Sequence, residues 1–391
     1  SKMAVLSSIR AAGMSTADTS RRSNLFGMST AELRSLAVSL GEPRYRGAQL
    51  YHALYAEKRF DLSAMTNLPA ALREKLGRTA CVALPKLLRR YPSADGTMRY
   101  VLALGSSGNF LPETPAPEMS SNDSLITIET VFMPEENRQT ICVSTQAGCA
   151  VDCGFCLTAT LGLIRNLTAG EILGQIVVAL ADHEGGLKPQ TNVVLMGQGE
   201  PLLNYDAVMA AMRILLDPEG MAISPKHVTL STSGIVPGIE RLAHETVRPK
   251  LAVSLNASND EQREKIMPIN RKYPLDALLD SCRRYPLRAW EHLTFEYVLL
   301  GGFNDSPEDA RRVAWLISNI RCKVNLIPWN PGNLPYEPPN PARIEEFRHV
   351  LTEKGVPAFV RYSRGQDVMA ACGQLALLES SGAPPLAQIS L

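Results

Sequence analysis

From Thr140 to Tyr362, short apolar runs rich in β-branched residues alternate with longer stretches whose apolar positions recur every three or four residues. The runs TICVST, NVVLM, HVTLST, KLAVSL, LTFEYVLL, KVNLIPW and AFVRY read as strands, at 140–145, 192–196, 227–232, 250–255, 293–300, 323–329 and 358–362. Stretches at 169–182, 204–216, 275–285, 307–320 and 341–354 read as helices. Strands separated by helices need crossover connections, so they are expected to lie parallel, covered by those helices. Six or seven such units suit an α/β fold with an open, partial (βα)6-type barrel, in which chemistry collects at the C-terminal ends of the strands.

Upstream the periodicity is helical. In STAELRSLAVSLG, Ser29 and Glu32 form a capping-box pair, Leu33, Leu36, Ala37 and Leu40 form an apolar stripe, and Gly41 is the stop. A second helix is expected from about Arg44 to Glu57, and a third after Asn67 and Pro69, ending at Gly77. MRYVLAL and LITIETVF then read as a strand pair around a long Gly-, Ser-, Pro- and Asn-rich loop, with Glu129 inside the second run. The expected organisation is a disordered extension at 1–23, a helical accessory domain at 24–92 and a β-rich linker at 93–135. A barrel core at 136–378 and a flexible tail at 379–391 complete it. For the N-terminal extension, an organelle transit peptide is the alternative reading.

Charge changes this picture in one respect. The net charge of +1 conceals a division: residues 1–100 hold 16 Lys and Arg against 7 Asp and Glu, a balance of +9, and the rest hold 24 against 32, a balance of −8. A basic accessory domain suits a partner with a phosphate backbone, which Arg44, Arg46, Lys58, Arg59, Lys75, Arg78, Lys86, Arg89 and Arg90 would meet without reading base sequence. A solvated basic surface without a partner is the alternative. No apolar run approaches the roughly 20 residues of a membrane-spanning helix, so a soluble, cytoplasmic protein without membrane attachment is expected. The 8 cysteines are sparse for a secreted disulfide scaffold and point to metal or redox use.

Three of them, Cys149, Cys153 and Cys156 in GCAVDCGFC, follow the first barrel strand at CxxxCxxC spacing. Three thiolates on one loop suit three corners of a cubane iron–sulfur (4Fe–4S) cluster and leave its fourth iron open. Structural zinc is the alternative, but it normally takes four protein ligands, and no second CxxC pair is present. This spacing is the signature of the radical S-adenosylmethionine (SAM) enzymes, a superfamily the chain resembles. After the second strand, Gly199 in MGQGEPLLN allows close backbone approach and Glu200 offers a carboxylate to an ammonium group, similar to the GEP motif that meets the SAM amino group. Ser231, Ser254 and Asn330 end later strands within reach of the SAM ribose and carboxylate. Each is alternatively a strand-end cap.

The segments LGEPRYR, MTNLP, IETV, CVSTQAGCAVDCGFC, RNLTAGEI, GEPLLN, TLSTSGIVP, NDEQREKIMPIN, NLIPWNP and RGQDVMAACGQL, together covering about 24–378, resemble the RlmN-type RNA methyltransferases. The resemblance implies methylation of adenine C2 in 23S ribosomal RNA, with the adenine beside the tRNA anticodon as a second target. It implies that Cys372 carries the methyl group, Glu129 takes the C2 proton and Cys142 resolves the product by forming a disulfide. Two SAM molecules, a one-electron donor and a thiol reductant are then required. The family's SLHA reads Ser254, Leu255, Asn256, Ala257 here, which alters a SAM contact at Asn256, and Gln198 stands in the family's GMGEP. Leu157 follows the third cluster cysteine in place of a small residue. The Cfr-like branch, which methylates adenine C8, and a non-catalytic iron–sulfur RNA-binding or redox protein are the alternatives.

Overall fold

The computed structural model describes residues 22–105, 126–331 and 334–375. Nearly all of the expected N-terminal extension, most of the loop between the two β-rich runs, and the expected tail lie outside these residues. The described chain opens with β1 (Ser23–Asn24), followed by α1 (Thr30–Ser39), α2 (Tyr45–Tyr55) and α3 (Ala70–Thr79). It returns in β2 (Ala80–Cys81), parallel to β1. Ser29 and Glu32 cap α1 reciprocally, side chain to backbone in each direction, an arrangement that contributes about 1 kcal/mol. Leu25, Phe26, Leu54 and Phe60 belong to the same apolar core as the barrel helices, and the Tyr51 hydroxyl donates to Asp217 at 2.8 Å.

The next strands are β3 (Lys86–Pro92), β4 (Met98–Leu104) and β5 (Ile126–Pro134), which run antiparallel, and β6 (Arg138–Cys142) pairs antiparallel with β5. The hairpin of β7 (Gln146–Gly148) and β8 (Leu163–Asn166) follows. Then come α4 (Ala169–Asp182), β9 (Gln190–Leu195), α5 (Tyr205–Leu215), β10 (Val228–Thr232), α6 (Val236–Ala243) and β11 (Lys250–Ser254). The remainder is α7 (Asp260–Ile266), α8 (Leu275–Arg284), β12 (Leu293–Leu299), α9 (Pro307–Leu316), β13 (Cys322–Pro328), α10 (Pro341–Glu353) and β14 (Ala358–Val360).

One ten-stranded sheet has the order β14-β13-β12-β11-β10-β9-β6-β5-β4-β3. Its seven strands from β6 to β14 are all parallel, as the alternating pattern requires, and among the described residues β3 and β14 have no further strand partner, so the barrel is open. The two β-rich runs are continuous with this sheet. They have a third partner in β3, whose charged, exposed side chains hide an edge strand from pattern reading. Helices α6 and α7 also escape it, because VPGIERLA and DEQREKI are too short to establish a period. Alternate residues of the parallel strands, such as Val228 and Leu230, Leu251 and Val253, and Val324 and Leu326, pack into the main core. The intervening set, which includes Ser231, Ser254, Glu296 and Ile327, lines a cavity on the inner face.

Candidate active site

The cysteine loop hangs from the β7–β8 hairpin, where the Cys149 N–H donates to Gly162 at 2.9 Å. It is tied across the barrel mouth by Gly154 N–H to the Ile266 carbonyl (2.9 Å) and Trp329 Nε1–H to the Phe155 carbonyl (3.2 Å). Cys149, Cys153 and Cys156 all line the cavity. Burial pushes the three thiols up, Cys149 to about 11, and at Cys153 the neighbouring Cys156, Cys149 and Glu200 push further. Such crowding suits a positively charged group that takes up all three thiolates. Among the described residues no three His, Cys, Asp or Glu side chains gather as ligands of a single ion. The three cysteines share the wall of one cavity, and three thiolates are the donor set of a cubane cluster.

Gly199, Glu200, Ser231, Ser254, Asn256 and Asn330 line the same cavity, whereas Leu255 is fully buried behind it. Gly199 has φ +97°, and a Cβ there would lie 2.5 Å from Gln146 Cβ, so only glycine lets the two loops meet. The Glu200 carboxylate accepts from the N–H groups of Leu202 and Ser233 and the hydroxyls of Thr232 and Ser233, at 2.7–3.0 Å. These four bonds clamp the loop to the end of β10 and oppose the burial that pushes the Glu200 carboxyl up. The Ser231 hydroxyl donates to Glu296 at 2.6 Å, and Asn330 donates to Ser363 and accepts from Gln366.

Cys372 lines this cavity together with the three loop cysteines and is exposed to it. Its thiol is pushed up to about 11 by the surrounding protein, Glu296 and Cys156. Cys142, the last residue of β6, is buried in a small cluster with Val131, Ala370 and Leu375, so its neighbours include the segment that bears Cys372. Burial and then Cys372 raise the Cys142 thiol far above its ordinary value. Glu129 lies two residues from Val131, the partner of Cys142 across β5 and β6, and so shares the inner face of the sheet. It is fully buried, is ion-paired with Arg99, whose guanidinium stacks 4.1 Å over the Tyr91 ring, and is not among the residues that line the cavity.

Two polar residues of the site were not singled out from the sequence. Glu296 reaches the cavity wall from β12, and its signal was a lone acid in the apolar run LTFEYVLL. Arg263, buried on α7, donates to the carbonyls of Ser233, Ser254 and Leu255 and to Asn270 Oδ1, joining the ends of β10 and β11. Asn256 adopts a left-handed conformation (φ 56°), which asparagine tolerates better than most residues. Its amide accepts from Val298 N–H (2.8 Å) and donates to the Met267 sulfur, holding β11 against β12. Gln198 is buried with its side-chain oxygen 3.3 Å from the Glu129 N–H. Cys282 and Cys322 lie in the main core.

Residues 143–314 match the family model described as Radical SAM superfamily, and residues 23–82 match the Ribosomal RNA large subunit methyltransferase N-terminal domain. The probable dual-specificity RNA methyltransferase RlmN of Koribacter versatilis is 47% identical over 339 residues, 86% of this chain and 96% of that protein. The dual-specificity RNA methyltransferase RlmN of Anaeromyxobacter dehalogenans is 45% identical over 360 residues, 90% of this chain and 91% of its own length. A crystal structure of a radical SAM methyltransferase from Sphaerobacter thermophilus superposes with a TM-score of 0.80 at 42% identity, covering 90% of this chain and 99% of that one. By this likeness and by the site just described, the chain belongs to the RlmN family of radical SAM RNA methyltransferases, enzymes that use a 4Fe–4S cluster and SAM.

Proposed function

We propose that this enzyme methylates C2 of an adenine in 23S ribosomal RNA and of the adenine beside the tRNA anticodon, by way of a methylated Cys372 and with two SAM molecules per turnover. The observation that carries the reading is the presence of Cys372 in one cavity with Cys149, Cys153 and Cys156, with Cys142 packed beneath its segment. The dual-specificity names of the relatives support two RNA targets. Cys149, Cys153 and Cys156 hold the cluster, Gly199 and Glu200 receive the SAM ammonium group, and Ser231, Ser254, Asn256 and Asn330 meet its ribose and carboxylate. Leu255 backs that wall. The bound cluster and SAM supply a 5′-deoxyadenosyl radical.

Cys372 is the nucleophile and carrier: its sulfur loses a proton and takes a methyl group, and that carbon, after loss of a hydrogen atom, bonds to adenine C2. Glu129, on the same face of the sheet but paired with Arg99 behind the cavity lining, would accept the C2 proton on leaving that pair. The odd electron of the adduct would pass to the bound cluster. The Cys142 thiolate attacks the Cys372 sulfur, and the carbon–sulfur bond breaks with its electron pair left on the product carbon, which takes up a proton to become the methyl group. The disulfide so formed is reopened by a thiol reductant of the cytoplasm. The bound cluster would require a cellular one-electron donor, and the basic helical unit at 24–92 positions the RNA by its phosphates. Anaerobic turnover with both RNAs, followed by mass spectrometry of the nucleosides, tests the proposal. The expected product is 2-methyladenosine, with none from Cys372→Ala and a covalent protein–RNA adduct from Cys142→Ala. Formation of 8-methyladenosine, or methylation by Cys372→Ala, would overturn it.

A further inference from the structure

Below the cofactor cavity, towards the N-terminal ends of the strands, the inner face of the sheet changes character. Lys250 lies two residues before Ala252, which pairs with Thr294, which in turn pairs with Lys323. Both lysines therefore point to the side of Ser254 and Glu296. On the edge strand β14, Phe359 pairs with Asn325 and so shares that side. Arg361 follows, its guanidinium 5.6 Å over the Phe359 ring and its Nε 3.3 Å from Asn325 Oδ1. The two lysines are half-buried, while Phe359 and Tyr362 are 45% and 67% exposed.

This strip carries an excess of positive charge. Burial and then Lys323 push the Lys250 ammonium down, and burial and then Arg361 do the same to Lys323. Arg138 and Arg288 also face Lys250, and His227 is itself depressed by burial, Lys250, Lys226 and Arg138. The acid that faces Lys250, Glu291, is already held by Arg288 at 2.8 Å. No ion pair among the described residues uses Lys250, Lys323 or Arg361. An exposed ring under a cation, Phe359 beneath Arg361, with a second exposed ring, Tyr362, just past the end of β14, matches single-stranded nucleic acid, whose bases stack on rings while its phosphates meet the charges. A free phosphate ion would leave the rings without a task. The strip also leads to the cavity, because Ser363, next to Tyr362, accepts from Asn330 at 2.7 Å.

We propose that the open β14 edge of the barrel is a track for single-stranded RNA, with Phe359 and Tyr362 stacking on bases and Lys250, Lys323 and Arg361 meeting phosphates. It rests on the RNA reading above and adds a second surface, opposite in the sheet to the basic helical unit. Fluorescence anisotropy of the cofactor-loaded enzyme with a labelled RNA stem-loop carrying an unpaired, adenine-containing loop tests it. Phe359→Ala and Tyr362→Ala are each expected to weaken binding about tenfold, and Tyr362→Phe to restore it. Lys250→Gln and Lys323→Gln are each expected to lower the slope of log affinity against log salt by about 0.7. Trp315→Ala, at a ring 76% exposed on α9, should bind as wild type. If the wild type binds and the ring and lysine variants bind equally well, the track is overturned and the RNA reading stands. If the wild type itself binds no RNA, both fall. If inorganic phosphate protects only the lysine-intact protein while the ring variants bind RNA normally, the strip holds a free anion, and the track is again overturned.

Discussion

The backbone N–H of Leu157 donates to the carbonyl of Gly373 at 2.7 Å. Leu157 follows the third loop cysteine and Gly373 follows Cys372, so one main-chain bond sets the spacing between Cys156 and Cys372. The Thr158 hydroxyl repeats the tie to the Leu375 carbonyl at 2.6 Å. At its other end the segment is held by Gly365 N–H to Asp95 (3.0 Å) and by Asp367, which accepts from Ser93 and the Ala94 N–H. The segment that bears Cys372 is therefore fastened both to the cysteine loop and to the β3–β4 turn.

Thr158→Val removes one of these ties with little change of shape. The expected cost is about 1 kcal/mol, the net worth of one such bond, spent locally at residues 370–375. Hydrogen exchange there should quicken, and fewer methyl groups should reach RNA for each SAM cleaved. Unchanged exchange would show that the Thr158 bond adds nothing to the hold on this segment.

Arg99→Leu leaves the buried Glu129 without its guanidinium partner. Breaking a buried ion pair from one side costs about 3–5 kcal/mol, so the denaturant midpoint should fall markedly. Adding Glu129→Gln should recover part of the loss. A double-mutant cycle in chemical denaturation measures the coupling, and additive losses would argue against it.

Arg263→Leu strands the carbonyls of Ser233, Ser254 and Leu255, each of which now accepts from the guanidinium. A buried acceptor left unsatisfied costs about 1–3 kcal/mol. The melting temperature should drop by several degrees, and SAM affinity, read by equilibrium dialysis, should fall with it because the proposed SAM contacts Ser254 and Asn256 shift. Arg263→Lys should recover only part of both, since an ammonium cannot span the same set of acceptors.

Glu296 gives a pH-dependent signature. Burial raises its carboxyl above the ordinary value of 4.5, with the Ser231 hydroxyl opposing. An acid whose folded value is raised contributes stability below its unfolded value, and that contribution is lost as pH rises through the folded value. Glu296→Gln should therefore melt like the wild type in acid and above it at neutral pH. The difference should open as pH rises from 4.5. Parallel curves of melting temperature against pH for the cofactor-free proteins would show that Glu296 is ionised at no cost.

The parallel strands were legible because each is buried on both faces or ends in a turn signal, so NVVLM and LTFEYVLL stand out from the helices between them. The edge strand Lys86–Pro92 was not, because an exposed edge needs charge and little alternation. The three loop cysteines were legible from spacing alone, since a single loop brings them together. Glu296 and Arg263 were not, because a buried charge has meaning only through the groups around it, and those come from β10, β11 and α7.

What the sequence determined by itself is local: the order of strands and helices, the cap at Ser29, and the CxxxCxxC loop with its capacity for a cluster. The roles proposed for Cys142 and Cys372 rest on family resemblance, because nothing within either segment refers to the other. Tertiary structure decided that the two thiols become neighbours. β6 lies inside the sheet, and the chain's last described segment folds back over the strand ends, held by backbone bonds to Leu157 and side-chain bonds to Asp95 and Thr158. It likewise decided that Lys250, Lys323 and Arg361, each unremarkable in its own strand, form one positive strip. Parallel register aligns residues far apart in the chain, and no local pattern records that alignment.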